Sequence, residues 1–437
     1  MISSNNPQFQ IAVRYTLFAL LIFTPLARGS VQPWAVTIIE MLTLLALTLF
    51  LLGRCLVWQW QWIKTPLDKP IIILLAVTLF STVFSLHKQT SVRSFILLID
   101  YLVIFYLVVN MVRTRSQFRQ LIYVIISVAV FLAIFGLFKN FGANPFPWWE
   151  YADLNYGDRL VSTFGCPNHL AGYMEMSLPL LLSLFLLGFR PGIGFILGYA
   201  ALLLLVALML SLSRGGWIST LLSLAFMAVA LLSSRHLAGK KLLIVVISSS
   251  LLLAIVALVS TPVVERVKTA MEKEEEASFY SRVIAWGGVM EMISDYPLTG
   301  IGPGIFETAF TQYQPPGFKS RFTKAHNDYL HFISETGLLL IPVILWMIIA
   351  LYKKGFKKLK NPSRLVRATT LGSMTGVTAI LFHSITDFNL HIPANAILVT
   401  VLAAIVVAPL PAHNGTDERI TDERRTSNVQ HRTSNME

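Results

Sequence analysis

Long apolar runs separated by short polar turns repeat along almost the whole chain. A helix needs roughly 20 apolar residues to cross about 30 Å of hydrocarbon. About twelve stretches reach that length: near 11–27, 34–52, 70–86, 95–112, 119–138, 168–189, 192–212, 216–233, 242–260, 330–352, 366–384 and 392–410. The pattern predicts an all-α polytopic membrane protein of about 12 transmembrane helices. Spans six and seven meet at Phe189-Arg190-Pro191-Gly192, a tight hairpin turn.

Two polar intervals are too long to be simple connectors. Residues 139–167 are rich in aromatics, with Trp148, Trp149, Tyr151 and Tyr156 suited to the headgroup zone. Residues 261–329 form the largest piece outside the apolar runs, between spans nine and ten. There Val283, Trp286, Met290 and Ile293 recur at helical spacing, predicting an amphipathic helix over 281–294 that rests on the membrane or the bundle. Pro297 stops it before the glycine-rich turn Thr299-Gly300-Ile301-Gly302-Pro303-Gly304, and with no preceding strand this string is no dinucleotide fingerprint. The chain therefore divides into 1–260 with nine spans, 261–329 as loop, 330–410 with three spans, and a polar tail at 411–437. The tail repeats Thr-Asp-Glu-Arg and Arg-Thr-Ser-Asn and is too poor in apolar residues to form a core, so disorder is expected.

Cation placement sets the orientation. With the N-terminus inside, the cytoplasmic loops hold seventeen Lys and Arg and the short outer loops six: Arg28, Lys88, Arg93, Lys139, Arg159 and Arg214. Both termini are expected in the cytoplasm, with the 261–329 loop on the outer face. The first ten residues contain no Lys or Arg, so a cleavable signal peptide is not expected.

Composition narrows the class. The chain is 55% hydrophobic and 13% charged, against roughly 25% charged in soluble domains. A net charge of +12 raises nucleic-acid binding, but the cations sit in short loops and line no single face. Cys55 and Cys166 are predicted on opposite sides of the membrane, so no disulfide or cysteine metal site is expected.

Candidate chemistry collects on the outer side. Arg214 lies in Ser213-Arg214-Gly215-Gly216, where an eighth span begins; Gly215 and Gly216 let an anion approach a helix start. Arg282 opens the amphipathic helix, and its planar fork suits phosphate. Each arginine also has a structural reading, as a snorkelling or surface residue. His326, in Lys324-Ala325-His326-Asn327-Asp328-Tyr329-Leu330, is a candidate base, with Asp328 or Glu335 to orient it; the bland alternative is a helix cap. His331 is expected to be packed or hydrogen-bonded. His383 and Asp387 stand at i, i+4 near an outer helix end, as an internal pair or a binding site. Arg159, Asn168, Asn327 and Asp328 complete the candidate substrate-binding set. No Asp-x-Asp pair or Walker loop occurs, so no metal and no cofactor are predicted, and arginines are the available means of neutralising a diphosphate.

These residues also carry a resemblance. Ser162 to Tyr173, Ser213 to Trp217, Arg282 to Gly304, Ala325 to Leu330 and Asp387 to Asn395 are collinear and resemble the O-antigen ligase and polymerase family. Cys166 stands where many relatives are expected to have Asn. The resemblance implies a membrane glycosyltransferase acting on an undecaprenyl-diphosphate-linked glycan. Arg214 and Arg282 would hold the diphosphate and His326 would activate the acceptor, in a metal-independent, inverting transfer. It implies lipid A core as acceptor for a ligase, or a growing glycan for a polymerase. An anion or glycan-intermediate transporter is the alternative from another class, but would place its ionisable residues nearer the bilayer midplane.

Overall fold

Apolar content, sparse charge and turn residues at regular intervals leave helices as the spanning structures that satisfy their own backbone in lipid. The computed structural model describes residues 7–57, 62–143, 156–157, 159–187, 191–232, 281–314 and 322–409. Among these the secondary structure is all helical. Eight helices come before residue 240: α1 (Pro7–Leu26), α2 (Pro33–Val57), α3 (Asp68–Val83), α4 (Lys88–Met111), α5 (Arg115–Asn140), α6 (Pro167–Leu187), α7 (Pro191–Leu210) and α8 (Arg214–Leu232). Six more follow: α9 over 281–295, α10 (Phe306–Ala309), α11 (Asp328–Thr336), α12 (Leu340–Lys358), α13 (Arg364–His383) and α14 (Pro393–Val407).

Among the described residues, eight helices are long and apolar enough to cross a membrane: α1, α2, α4, α5, α6, α7, α8 and α13. The helix α14 is apolar but has 15 residues, and α3 has 16. The predicted span at 242–260, the start of the 261–329 loop and the tail lie outside the described residues.

The expected tenth span, 330–352, is corrected. It is two helices, α11 and α12, separated at Gly337, whose φ of 84° is left-handed. A side chain on Gly337 would strike the carbonyl of Leu298, so the break lets the 297–305 turn dock there. Leu338 N donates to Pro297 O, Ile301 N to Ser334 O and Gly302 N to Glu335 O.

The amphipathic helix divides its apolar stripe between two environments. Residues 281–295 are helical; Ile293 is buried with Ala285, Val289 and Met292, Trp286 is half-buried, and Val283 and Met290 are exposed. The buried side belongs to a second small core with Ile301, Ile305, Phe306, Phe310 and Ala325, separate from the main bundle core.

At the centre of the bundle α13 packs on α6 and α8. Gly372 and Gly376 face α6 so closely that a Cβ at 372 would lie 2.6 Å from Leu180 Cα, and one at 376 would lie 2.5 Å from Met176 O. This is the small-residue contact by which membrane helices approach without a hydrophobic driving force.

Turns that the charge pattern assigns to one side do meet at one end of the bundle. Thr163 Oγ1 donates to Pro25 O, Leu160 N to Leu210 O, Leu86 N to Ile301 O and Asp328 N to Ser384 O. Helix alternation therefore agrees with the predicted hairpins, and the candidate residues share this end.

Candidate functional site

The site is built around the turn between α13 and α14, residues 384–392. Asp387 lies there, 2% exposed, in a cage of donors. Its Oδ1 accepts from Phe388 N at 2.8 Å and its Oδ2 from Asn168 Nδ2 at 2.6 Å. Asn168, in the first turn of α6, accepts in turn from Arg159 Nη2 at 2.7 Å, and Arg159 Nε donates to Ser211 O at 3.0 Å. Arg159, Asn168 and Asp387 thus form one continuous chain of polar groups across three segments.

His326 stands at its end. Nδ1 lies 3.4 Å from Asp387 Oδ1, close enough for charge attraction but not aligned for a hydrogen bond. The ring meets Phe388 edge-on at 4.8 Å, and the side chain is 32% exposed. Nδ1 is buried, which leaves Nε2 as the outward nitrogen. The backbone at His326 is left-handed, with φ of 49°, a conformation few residues other than Gly or Asn adopt and one found often at functional sites. Burial alone would raise the Asp387 carboxyl, but the facing imidazoles of His326, His169 and His383 hold it well below the usual carboxylate range.

The expected orienting groups for His326 are corrected. Asp328 is fully buried; its Oδ1 pairs with His391 Nδ1 at 2.7 Å and its Oδ2 accepts from Ser384 Oγ and Leu390 N. Glu335 Oε1 meets His331 Nε2 at 3.2 Å and accepts from Phe306 N. Asp387, not either of these, backs His326. Asn327 caps α11, its side chain accepting from Leu330 N at 3.0 Å. Asn327 and Asp328 thus have their side chains committed inside the protein. Capping falls to Asn327, so the bland reading of His326 as the helix cap fails.

The i, i+4 pairing of His383 with Asp387 is also replaced. His383 Nδ1 lies 3.0 Å from Glu175 Oε1, and Glu175 Oε2 accepts from Ser219 Oγ at 2.5 Å. Both residues are buried. Glu175 escaped the sequence reading, although an acid alone among the apolar residues of a span is itself a signal.

Both arginine-bearing segments reach the same turn. Arg282 Nη1 donates to Thr386 O at 2.9 Å. Arg214 is exposed at the first position of α8. Its neighbour Gly215 sits against Thr386 and His383: a Cβ there would be 2.8 Å from Thr386 Oγ1 and 3.0 Å from His383 Nε2. Gly216 N donates to Ser213 Oγ at 3.2 Å, so that amide caps the helix from within. Trp286, on the same helix as Arg282, donates Nε1–H to Ala325 O at 2.8 Å and ties α9 to the residue before His326.

One group among the described residues, His331, Glu335 and His391, has metal-ligand atoms within 4.8 Å of one another. The two imidazole rings are in contact, with centroids 4.0 Å apart, and His391 Nδ1 is engaged by Asp328. Burial, reinforced by nearby Lys324, lowers both histidines, His391 to about 4. The cluster knits α11 to the 389–391 turn.

Asp387, His326, both arginines, Asn168 and His383 thus gather at one end of a helical membrane bundle. The comparisons bear on the same segment. Residues 199–346 match the family model described as O-Antigen ligase, a stretch that includes Arg214, Arg282 and His326 and stops before Asp387. A search of curated proteins returns no match. Over residues 199–346, about a third of its length, the chain is thus similar to the O-antigen ligase family of ligase- and polymerase-type membrane glycosyltransferases.

Proposed function

We propose that the protein transfers an O-antigen-like glycan from undecaprenyl diphosphate to lipid A core at the periplasmic face of the inner membrane. The single observation that carries this reading is His326. It is a partly exposed imidazole in left-handed backbone, backed by buried Asp387, beside a turn that both arginine-bearing helices contact.

The chemistry follows from the positions. Asp387 favours the proton on Nδ1 of His326 and leaves Nε2 as acceptor. Nε2 takes the proton of an acceptor hydroxyl as its oxygen attacks the anomeric carbon. The bond from that carbon to the donor phosphate oxygen breaks, with inversion, and undecaprenyl diphosphate departs as the anion. Arg214 and Arg282 stabilise the charge developing there. Glu175 and His383, behind Gly215, hold the turn that carries Arg214. Asn168, held by Arg159, keeps Asp387 in place. Asn327 and Asp328 position the His326 loop rather than touch substrate.

Lipid A core as acceptor, rather than a growing glycan, rests on the moderate chain length and a single dominant outer loop. Positive charge on the opposite loops supports the periplasmic assignment of this end and the cytoplasmic assignment of both termini. Ionisable groups gathered at the bundle end rather than mid-span favour a transferase over a transporter.

The test is transfer by purified protein supplied with an undecaprenyl-diphosphate glycan and either lipid A core or repeat-unit acceptor. A single addition to lipid A core is expected. Extension of the glycan would make the protein a polymerase, and movement of donor across a vesicle without new linkage would make it a transporter.

A further inference from the structure

The end of the bundle opposite the His326 site holds an arginine without a counter-charge. Arg54 lies in the last turn of α2 and is 6% exposed. Its guanidinium stands over the Phe50 ring at 5.2 Å, and its Nη2 is buried with no hydrogen-bond partner. It lines an open cleft with Phe9, Gln10, Phe50, Gly53 and Met111. Gly53 makes the cleft possible, since a Cβ there would lie 2.9 Å from Phe9 Cβ.

Among the described residues, nothing in the surrounding elements neutralises this charge. The helix α1 contains no acid and adds Arg14, whose buried Nε is also unpartnered. In α2 the only acid is Glu40, fourteen residues away, which is about 21 Å along a helix. In α4 the only acid is Asp100, and α5 has none. Asp68 opens α3, and its carboxylate is taken by Thr65 and Tyr106. A charge that acts on Arg54 is another guanidinium, Arg113, held through Nε by Asn110 O at 2.9 Å. A buried cation beside a second cation is costly unless an anion joins it.

We propose that Arg54 and Arg113 form a phosphate-binding site for a lipid headgroup of the leaflet opposite the glycan-transfer site. An anionic phosphodiester would supply the missing acceptor for Nη2, and Phe9, Phe50 and Met111 would line the glycerol and upper acyl region. Its place at a helix end, where charged loops meet apolar spans, is the depth of a headgroup.

The test uses full-length protein in detergent. Thermal unfolding is followed while phosphatidylglycerol, phosphatidylcholine or inorganic phosphate is titrated. Phosphatidylglycerol is expected to give a saturable rise in melting temperature. Arg54→Gln should raise the half-saturation concentration about tenfold, the scale of one charged hydrogen bond. Arg119→Gln, exposed on α5, should leave it unchanged. The same half-saturation in wild type and Arg54→Gln overturns the site. Protection by inorganic phosphate alone, with the same Arg54 dependence, keeps the phosphate chemistry and overturns the lipid source. Should Arg54→Gln fail to accumulate, Arg54→Lys and Arg113→Gln carry the test, and unweakened binding in both rejects the proposal.

Discussion

His326 and His331 lie five residues apart, yet the fold treats them in opposite ways. His331 is fully buried, stacked on Phe306 at 4.3 Å, hydrogen-bonded to Glu335 and in ring contact with His391. His326 keeps one edge in the open and turns the other towards a caged carboxylate. The difference arises at the backbone: His326 is left-handed and precedes the helix, while His331 sits inside α11 on its buried side. An imidazole with both nitrogens and both faces occupied is architecture. One with a free nitrogen and a carboxylate behind the other can move a proton.

That contrast breaks most sharply under substitution of the two histidines. His326→Ala should lower transfer by about 10²–10⁴-fold, the usual worth of a general base, while the protein accumulates normally. His331→Ala should instead cost stability, about 2–4 kcal/mol, with turnover per folded molecule kept. Melting curves beside initial rates separate the two, and equal rate losses would erase the distinction. Asp387→Asn comes next. It keeps the shape but removes the charge behind Nδ1, and a rate loss on the order of 10²–10⁴ is expected by analogy with a serine-protease triad; an unchanged rate would leave His326 without its partner.

Arg214→Lys retains charge but loses the planar fork. A fall of about tenfold or more in kcat/KM is expected, one charged hydrogen bond, and a silent variant would reduce Arg214 to a helix terminus. The smallest effect is a pH dependence of stability. The folded protein keeps His331 and His391 neutral, whereas the unfolded chain protonates them near pH 6.5. Their contribution is therefore fully present above that pH and is lost as pH falls towards about 4, the value to which His391 is lowered. Asp387 acts in the same direction at lower pH: its carboxyl is held below the ordinary carboxylate range, so its stabilisation is present above that range and is lost as pH falls through it. Melting temperature in detergent should drop between pH 6.5 and 4, and His391→Gln should flatten the slope.

Much of the candidate site was legible before any fold was known. An arginine at a helix start, a histidine in a polar loop and an Asp beside aromatics are unusual in a chain this apolar, and they stood out for that reason. The partners were less legible. Asp328 and Glu335 were chosen for His326 because they are near in sequence, but both point into the cluster with His391 and His331. The apolar stripe of α9 is shared between two surroundings: Ile293 joins the small core while Val283 and Met290 face outward. The Gly372 and Gly376 contact with α6 passed unnoticed, though the spacing is visible in the sequence.

Sequence alone determined the all-helical class, the approximate limits of most spans and the end of the bundle where chemistry collects. Those follow from the length of apolar runs and the placement of cations, properties that each segment carries by itself. Only the tertiary structure decided which polar atoms meet. Asn168 and Asp387 are 219 residues apart and Glu175 and His383 are 208 apart. No local propensity records such pairings. They exist because α6 and α13 pack face to face and because a buried polar atom is costly until some distant segment supplies its partner.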